Sequence, residues 1–476
     1  MIAILPAPET VVLPTPSRAE IAQRLALALR SIGRHLAAAR REHGQLGEVA
    51  VAGAIAATFQ ELGGTFTKYG QLVASSSSIF GDEVSHAFRG CFDAGPPEPF
   101  RSVASTLEVE LGQPLDQLFA SIDPRPMAAA SLAVVHRATL LDGTPVAVKV
   151  LRPGIERRLA TDLAVLRPLC DFIARQVAVG IAGVLPGLIS GLSLQLTEEL
   201  DLRNEVAASR WFAAVLDELD VHLVRTPHVY DHLSSQRVLT MELIDGVPVD
   251  DADAIAALGV DAGPLLLDCL RTWFAATLAT GAFHGDIHAG NVLVEPSGTI
   301  ALLDWGIVGR LDKETARFFR RLLEGAIGDE SAWPEVAAHL EAMYGDGVRD
   351  ALGLDEDGFV AFVRSQIEPM LRTPFGQIDM RTMLIGDGAT DGKRAGERTT
   401  LESLRNWWEE RRRQRAVMAL EGYGGGFDQA TFLLSKQLVY FERYGKRYLP
   451  DTPLLDDVDV YRALLADGAA DGAAVS

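Results

Sequence analysis

Short apolar runs rich in β-branched residues occupy the middle of the chain, and longer patterns of helical type lie on both sides of them. The runs cover residues 146–150, 238–245, 292–294 and 299–303. Runs of this length beside turn-forming residues predict strands. Residues 18–41, in contrast, repeat apolar positions at helical spacing among basic side chains. We therefore expect an α+β fold with helical regions at both ends.

The same pattern divides the chain into five segments. They are a proline-rich lead with an amphipathic helix (1–43), a mainly helical extension (44–120), a smaller lobe (121–248), a larger lobe (249–345) and a helical C-terminal region (346–476). We expect the first helix to pack on a lobe, although its composition also suits a membrane surface. In the last segment, residues 376–400 are typical of a loop and 466–476 of a disordered end.

The strongest chemical signal is the segment His284-Gly-Asp-Ile-His-Ala-Gly-Asn291. Its Asp286 and Asn291 have the spacing of a phosphoryl-transfer loop, in which the Asp orients the attacking hydroxyl and the Asn binds magnesium. Two predicted strands joined by a turn at 295–298 follow, and they end at Asp304. Such a hairpin returns Asp304 to the same site as a second oxygen ligand, which suits Mg²⁺.

Two other interpretations of this segment are weaker. In the first, the spacing is accidental and these are ordinary polar residues of a loop, since single motifs often produce false positives. A zinc site at His284, Asp286 and His288 has no fourth ligand at a familiar spacing nearby. We therefore expect phosphoryl-transfer chemistry.

A lysine in the strand 146–150 is the second part of the expected nucleotide-binding site. Lys149 interrupts an otherwise apolar run, as in the V-A-I-K strand whose lysine reaches nucleotide phosphates. A solvent-facing lysine on an edge strand is the ordinary alternative. Lys149 needs a carboxylate to hold it, and the candidates in a predicted helix over 197–209 are Glu198, Glu199, Asp201 and Glu205. We choose Glu205, one helical turn after Asp201, although the spacing does not fix the choice.

The strand over 238–245 leads into Gly246-Val-Pro248 and is the expected hinge over the adenine of a nucleotide. Met241 and Glu242 are its candidate nucleotide-binding residues.

With three further segments, these residues resemble the AarF/UbiB family of atypical kinases, over about residues 55–345. Lys68-Tyr-Gly-Gln71 is similar to the K-x-G-Q signature of that family. The run from Ala128 to Ala138 is similar to its alanine-rich loop, and Glu199-Leu-Asp201 to its E-x-D motif. Each motif alone is weak, and their combination is specific.

The resemblance implies a protein-kinase-like two-lobed fold that binds ATP and Mg²⁺. It implies that Ala128, Ala129, Ala130 and Ser131 form the loop that covers the nucleotide. It also implies that Lys68 and Gln71 lie over the site and form a gate with Glu199 and Asp201. Alanine is less permissive than the glycine usual in such loops, so nucleotide handling is altered. A cover of this kind obstructs a protein substrate.

The chain departs from the family pattern at Val134, at Trp305 and over residues 75–78. The departures do not affect Lys149, Asp286, Asn291 or Asp304.

Composition limits partners and compartment. The net charge of −20 argues against a nucleic-acid partner, because phosphate binding needs a basic surface. Three separated cysteines fit a reducing cytoplasm, and residues 1–8 do not resemble a secretory signal. The uncharged stretch between Arg175 and Glu198 approaches bilayer length, but its proline and polar residues favour buried helices. We expect a cytoplasmic protein with at most peripheral membrane contact. The Trp and Arg residues at 405–415 could contact anionic lipid, but we favour a solvated helix there.

The expected function is that of an ATPase or small-molecule kinase that depends on magnesium and acts on or beside lipid-like isoprenoid chemistry. The alternative is a pseudokinase that binds nucleotide to regulate a partner. A phosphotransferase of the aminoglycoside type shares the loop around Asp286 but does not account for Lys68 to Gln71.

Overall fold

Helices occupy both ends of the protein and most strands lie in its middle, as the apolar pattern predicted. The computed structural model describes residues 4–44, 47–75, 82–92, 98–176, 190–344, 348–378 and 429–471. The helices are α1 (Arg18–His43), α2 (Glu48–Leu62), α3 (Thr65–Ser75), α4 (Asp82–Ala87), α5 (Phe100–Leu111), α6 (Leu115–Leu118), α7 (Ile155–Gln176), α8 (Leu202–Glu218), α9 (Ala252–Leu258), α10 (Ala262–Thr280), α11 (Lys313–Ala326), α12 (Trp333–Tyr344), α13 (Val348–Leu352), α14 (Glu356–Arg372), α15 (Gln429–Tyr448) and α16 (Val458–Asp471). The strands are β1 (Phe119–Ile122), β2 (Ala128–Ala129), β3 (Ala133–Leu140), β4 (Pro145–Leu151), β5 (Val224–Arg225), β6 (Val238–Glu242), β7 (Val247–Pro248), β8 (Ala282–His284), β9 (Val292–Val294), β10 (Ile300–Leu302) and β11 (Val308–Arg310).

The smaller lobe is built on a five-stranded antiparallel sheet. Its strand order is β1-β3-β4-β6, and β2 pairs with β3 outside this path. In the register, Lys149 on β4 is opposite Val135 on β3 and Leu239 on β6. The strand expected at 146–150 is therefore confirmed, and β4 is interior to the sheet rather than at its edge. From Val146 onward its side chains are buried: α5 packs on the face that carries Val146, Val148 and Val150, whereas Lys149 on the other face meets Glu205 of α8.

The larger lobe is mainly helical and is centred on α10. Phe274 on this helix stacks on Phe319 of α11, and Trp273 meets Phe283 and Phe441 edge to face. Short strands lie beside this core, and β9 and β10 form an antiparallel hairpin. The hairpin predicted to follow the catalytic-loop motif is thus confirmed.

The N-terminal segment lies against the smaller lobe. Helix α1 packs on α2 and α7, and the Arg24 guanidinium lies 2.6 Å from the buried Asp162 carboxylate. Ahead of α1, the Glu9 backbone N–H donates to the side chain of Asn204 at 2.8 Å. The expectation that the first helix packs on a lobe is confirmed.

Two expectations about helices are wrong. The helix expected over 197–209 is two segments: one is described over 190–198, and α8 begins only at Leu202. Asp201 is the N-cap of α8 and accepts a hydrogen bond from the Arg203 N–H at 3.0 Å, a role for which Asp is strongly preferred. In addition, α16 extends to Asp471 and so enters the segment expected to be disordered.

Within the described ranges, every helix is too short or too polar to cross a bilayer. The predictions for residues 76–78, 177–189, 379–428 and 472–476 lie outside the residues that the structure describes.

Candidate active site

Asp304 is brought to the site by the strand β10 and a strained turn. The chain leaves β10 through Leu303, whose N–H donates to the Asn291 carbonyl at 2.8 Å. Asp304 then has φ of 53°, a left-handed conformation that is uncommon outside glycine and costs roughly 1 kcal/mol or more. The Gly306 N–H donates to Asp304 Oδ1 at 3.3 Å and helps to hold the carboxylate in place. Strain of this kind persists where the surroundings over-determine it, which is common at functional sites.

Lys149 lies between two carboxylates at the centre of the site. Its Nζ donates to both oxygens of Glu205, at 2.8 and 3.0 Å, and lies 3.0 Å from Asp304 Oδ1. The structure thus brings Lys149 to Glu205, the partner chosen among four carboxylates, and to Asp304 as well.

The pKa values of this cluster follow from burial and from an excess of negative charge. Burial lowers the pKa of Lys149, but the carboxylates of Asp304 and Glu205 outweigh it and hold the pKa above its ordinary value. Burial and, to a smaller extent, the Asp304 carboxylate raise the pKa of Glu205 to about 7 against the attraction of Lys149. One ammonium therefore serves two carboxylates, and a further cation would relieve their repulsion.

Asp286 and Asn291 lie on a loop whose shape is fixed by His284. The Asp286 N–H donates to His284 Nδ1 at 3.1 Å, so the proton of the neutral ring lies on Nε2, which donates to the Leu303 carbonyl at 2.9 Å. Burial lowers the pKa of His284, which favours this neutral form. Both ring nitrogens are engaged, so the weaker zinc interpretation loses a ligand. The Asn291 amide donates to the Asp286 carbonyl at 2.9 Å and closes the loop.

Of the four expected gate residues, two pair directly. Lys68 on α3 lies 3.5 Å from Glu199. The other two are engaged elsewhere: Gln71 donates to the Cys91 carbonyl at 3.0 Å, and Asp201 caps α8 and binds the Arg203 guanidinium. The gate contact that the structure shows is therefore the pair of Lys68 and Glu199.

The alanine-rich segment is anchored by an arginine. Ala128 and Ala129 form β2, and Ala130 and Ser131 continue as a turn at the edge of the site. The Arg152 guanidinium donates twice to the Ala130 carbonyl, at 3.1 Å each, and its other end lies 3.3 Å from Glu98. The loop is thus held by its backbone, and no sequence motif pointed to Arg152.

A small cavity joins these groups. Its volume is about 60 Å³, and its lining includes Lys68, Lys149, Asp286, Asp304, Ala130 and Ser131. Ligand pockets for drug-sized molecules hold roughly 300 Å³ or more, so a whole nucleotide does not fit this conformation.

The hinge residues lie apart from this cavity. Met241 is half-buried beside the smaller lobe's core, and Glu242 lies at the end of β6. The Arg225 guanidinium binds both oxygens of Glu242, at 2.8 and 2.9 Å. The Glu242 side chain is therefore committed to a structural pair, and its N–H donates to the His228 carbonyl at 2.8 Å, so its carbonyl is the candidate contact for an adenine.

The donor set fits a magnesium ion that also binds phosphate. In the contacts of the described residues, Asp304 uses Oδ1 for Lys149 and Gly306, while Oδ2 accepts none. Asn291 uses its amide nitrogen for the loop, so its oxygen is the remaining ligand atom. Among the same residues no group of three or more His, Cys, Asp or Glu side chains is arranged to hold a metal. Two protein oxygens completed by substrate phosphates and water are the usual pattern for Mg²⁺.

A helix near the C-terminus reaches this site, which the sequence reasoning missed. On α15, Lys436 Nζ lies 2.7 Å from Asp286 Oδ1, and the buried Gln437 donates to the Gly285 carbonyl at 2.7 Å. The only signal in the sequence was a polar pair inside a mainly apolar helical stretch, and such pairs are common on helix surfaces.

A two-lobed fold with a lysine strand, a catalytic-type loop and a carboxylate arm between the lobes defines a protein-kinase-like molecule. The sequence model of the ABC1 atypical kinase-like domain matches residues 91–333. The chain belongs to this family of AarF/UbiB-type atypical kinases, which confirms the resemblance and the fold class.

Three similar proteins illustrate the relationship. An uncharacterized aarF domain-containing protein kinase of Arabidopsis thaliana, described as chloroplastic, is 33% identical over 84% of this chain and 72% of its own. A probable protein kinase UbiB of Marinobacter nauticus is 29% identical over 68% of this chain and 59% of its own. A Mycobacterium tuberculosis protein solved in complex with erythromycin is 24% identical, with a TM-score of 0.44, over 68% of this chain and 80% of its own.

Proposed function

We propose that this protein is a magnesium-dependent ATPase or small-molecule kinase, with Asp286 as the group that orients the nucleophile. The observation that carries the proposal is the meeting of Lys149, Glu205, Asp304 and Asp286 around one cavity. These side chains come from four separate stretches of the chain, and their arrangement suits a triphosphate with one metal ion.

Each residue has a distinct task in this proposal. Lys149 would bind the α- and β-phosphates, and Glu205 would hold its ammonium in place. Asp304 and Asn291 would hold Mg²⁺, which offsets the charge of the phosphates when bound. Asp286 would accept a hydrogen bond from the attacking hydroxyl or water. Met241 and Glu242 would lie beside the adenine, with the Glu242 carbonyl as the contact, and Ala128 to Ser131 would cover the phosphates.

The covering residues favour a small acceptor over a protein. Lys68 and Glu199 form an ion pair beside the cavity, and Lys68 and Asp286 both line it. A folded protein segment would have to displace this cover to reach Asp286. Water, or a small molecule such as a lipid-like isoprenoid that approaches along a membrane surface, is the acceptor that we propose, and a cytoplasmic location with peripheral membrane contact goes with it.

The proposed activity is tested by phosphate release. Purified wild-type protein with ATP and Mg²⁺ should release phosphate well above the rate of an Asp286→Asn variant, in which the carboxylate is lost and the shape is kept. Removing Mg²⁺ with a chelator should abolish the difference. Equal rates in the two proteins, in the presence of anionic or isoprenoid-containing vesicles as well as without them, would contradict the proposal.

A second candidate is a nucleotide-binding pseudokinase that regulates a partner. The observation that favours it is the small cavity, which must open before a nucleotide can enter. This candidate predicts that ATP binds with Mg²⁺ and protects the protein against heat, while phosphate release equals that of Asp286→Asn. Calorimetric titration should show ATP binding under either function, so the comparison of phosphate release between wild type and Asp286→Asn separates the two.

A further inference from the structure

Helix α15 fixes the backbone on both sides of Asp286. The buried Gln437 side chain donates to the Gly285 carbonyl at 2.7 Å and accepts from the Ile287 N–H at 2.9 Å. The Tyr444 hydroxyl donates to the Ile287 carbonyl, also at 2.9 Å. Three hydrogen bonds from one helix thus set the position of the loop relative to Lys436.

Lys436 lies beside the carboxylate that is proposed to orient the nucleophile. Its Nζ is 2.7 Å from Asp286 Oδ1, and its side chain is 21% exposed. Asp286 occupies one of the three N–H donors of the ammonium, and the ring of Tyr440 lies on another side, 5.7 Å away. A nucleophile bound to Asp286 lies within about 3 Å of that carboxylate, which brings the phosphorus that it attacks within reach of the same ammonium.

We propose that Lys436 is a catalytic residue that contacts the phosphoryl group during its transfer. This inference rests on the proposed function and extends the active site beyond the segment matched by the family model, residues 91–333. Lys149 contacts the phosphates that remain on the nucleotide, whereas Lys436 contacts the phosphoryl group that is transferred. The two lysines therefore divide the triphosphate between a strand of the smaller lobe and a C-terminal helix.

The reaction balances with the groups present. The oxygen of water or of an acceptor hydroxyl forms a bond to the γ-phosphorus, and the bond from that phosphorus to the bridging oxygen breaks. The electron pair of the broken bond leaves with ADP, and the proton of the nucleophile passes to Asp286 and then to solvent. Charge spreads over the three equatorial oxygens in the transition state, and a fixed ammonium at that point stabilises it.

A purely structural ion pair is the competing explanation for Lys436. The two side chains are 21% and 17% exposed, so removal of one partner leaves a mostly buried charge unpaired and costs some stability. Gln437 and Tyr444 already attach α15 to the loop through buried hydrogen bonds. The pair of Lys436 and Asp286 is therefore not needed to hold the helix, and its position at the nucleophile carries the argument.

The test compares Lys436→Met with Lys446→Met in the full chain. Both lysines lie on α15 and both pair with a carboxylate, but Lys446 pairs with Glu442 on the same helix. We expect Lys436→Met to lower kcat for ATP hydrolysis about 100-fold, as loss of one transition-state donor does, with little change in the affinity for ADP. Aluminium fluoride mimics the transferred phosphoryl group and should make ADP bind more tightly to the wild type. Lys436→Met should lose this tighter binding. Lys446→Met should retain both properties, and Lys436→Arg should be intermediate.

Three outcomes would overturn the inference. One is a Lys436→Met protein that matches Lys446→Met in kcat and in the aluminium fluoride effect. Another is equal loss of ADP affinity with and without aluminium fluoride together with a lower Tm, which would indicate a structural role. The last is a wild-type protein that shows neither hydrolysis nor an aluminium fluoride effect, in which case the proposed function itself fails.

Discussion

Two lysines with acidic partners, Lys149 and Lys68, line the cavity, and they are held very differently. Lys149 makes three contacts of 3.0 Å or less with Glu205 and Asp304, and its side chain is 10% exposed. Lys68 lies 3.5 Å from Glu199, and these two side chains are 19% and 15% exposed, against 10% for Lys149 and 4% for Glu205. In the proposed function the tight cluster positions the phosphate-binding charge, and we expect the looser pair to break when the cavity opens. The comparison therefore predicts that catalysis and access depend on different ion pairs.

Loss of the central lysine should have the largest effect. Lys149→Ala leaves the Glu205 and Asp304 carboxylates without their shared cation, and breaking a buried pair in this way costs about 3 to 5 kcal/mol. Urea denaturation should show this loss, and calorimetry should show no binding of ATP with Mg²⁺. If the variant bound ATP with the wild-type Kd, Lys149 would have no role in phosphate binding.

The double variant Lys149→Met, Glu205→Gln is the matched control for stability. It removes both buried charges together and keeps the volume, so it should recover part of the lost unfolding free energy without recovering ATP binding. Recovery of ATP binding in the double variant would show that Lys149 is not needed to bind the nucleotide.

Loss of the gate lysine should have a smaller and opposite effect on nucleotide binding. Lys68→Ala removes a partly exposed ion pair that contributes about 1 kcal/mol or less. If the pair keeps the cavity closed, ATP affinity should rise by up to about fivefold, and Tm should fall only slightly. Lys446→Ala removes a lysine that pairs with Glu442 on the same helix and is not among the residues that line the cavity, so it should leave the Kd unchanged. A weaker affinity in Lys68→Ala would show that Lys68 binds the nucleotide instead of excluding it.

Release of the alanine-rich loop should change nucleotide binding to a comparable extent. Arg152→Lys keeps the charge but loses the paired donation to the Ala130 carbonyl, since an ammonium cannot reproduce the planar guanidinium. A loss of about 1 kcal/mol in loop anchoring would alter KM for ATP by roughly fivefold, with kcat unchanged. A change in kcat alone would place the role of Arg152 in chemistry.

A change in salt concentration should produce the smallest difference between the wild type and Lys68→Ala. The Debye length falls from about 10 Å at 0.1 M to about 3 Å at 1 M, and exposed pairs are screened more than buried ones. Raising the salt concentration should therefore speed ATP association through the gate while leaving Lys149 in place. Stopped-flow binding on wild type and Lys68→Ala measures this, and the variant should lack the acceleration. The same salt response in both proteins would exclude Lys68 as its origin.

The sequence predicted the parts of the site that depend on local spacing. Asp286 and Asn291 are five positions apart on one loop, and the hairpin between Asn291 and Asp304 follows from two short apolar runs and a turn. Lys149 was predicted because a charge in a buried strand needs a partner. Their geometry agrees with the expected site, while their roles in catalysis remain predictions that the experiments above address.

The remaining features depend on contacts between distant parts of the chain. Spacing left four carboxylates open as partners of Lys149, and only the packing of α8 against β4 selects Glu205. The cap at Asp201 was missed because a break between two helices has the same polar pattern as one continuous helix. Arg152 and Lys436 were invisible for a related reason: each acts on a segment that the chain reaches only after folding.

The attachment of α15 also decides what counts as one cooperative unit. Phe441 and Tyr444 on this helix are part of the larger lobe's core, in contact with the elements around α10. A shortened protein that ended where the family match ends, at residue 333, would expose that core and leave the peptide groups beside Asp286 to water. Denaturation of the intact chain should accordingly show a single transition for the larger lobe and its C-terminal helix, so mutations on α15 would report on the catalytic loop itself.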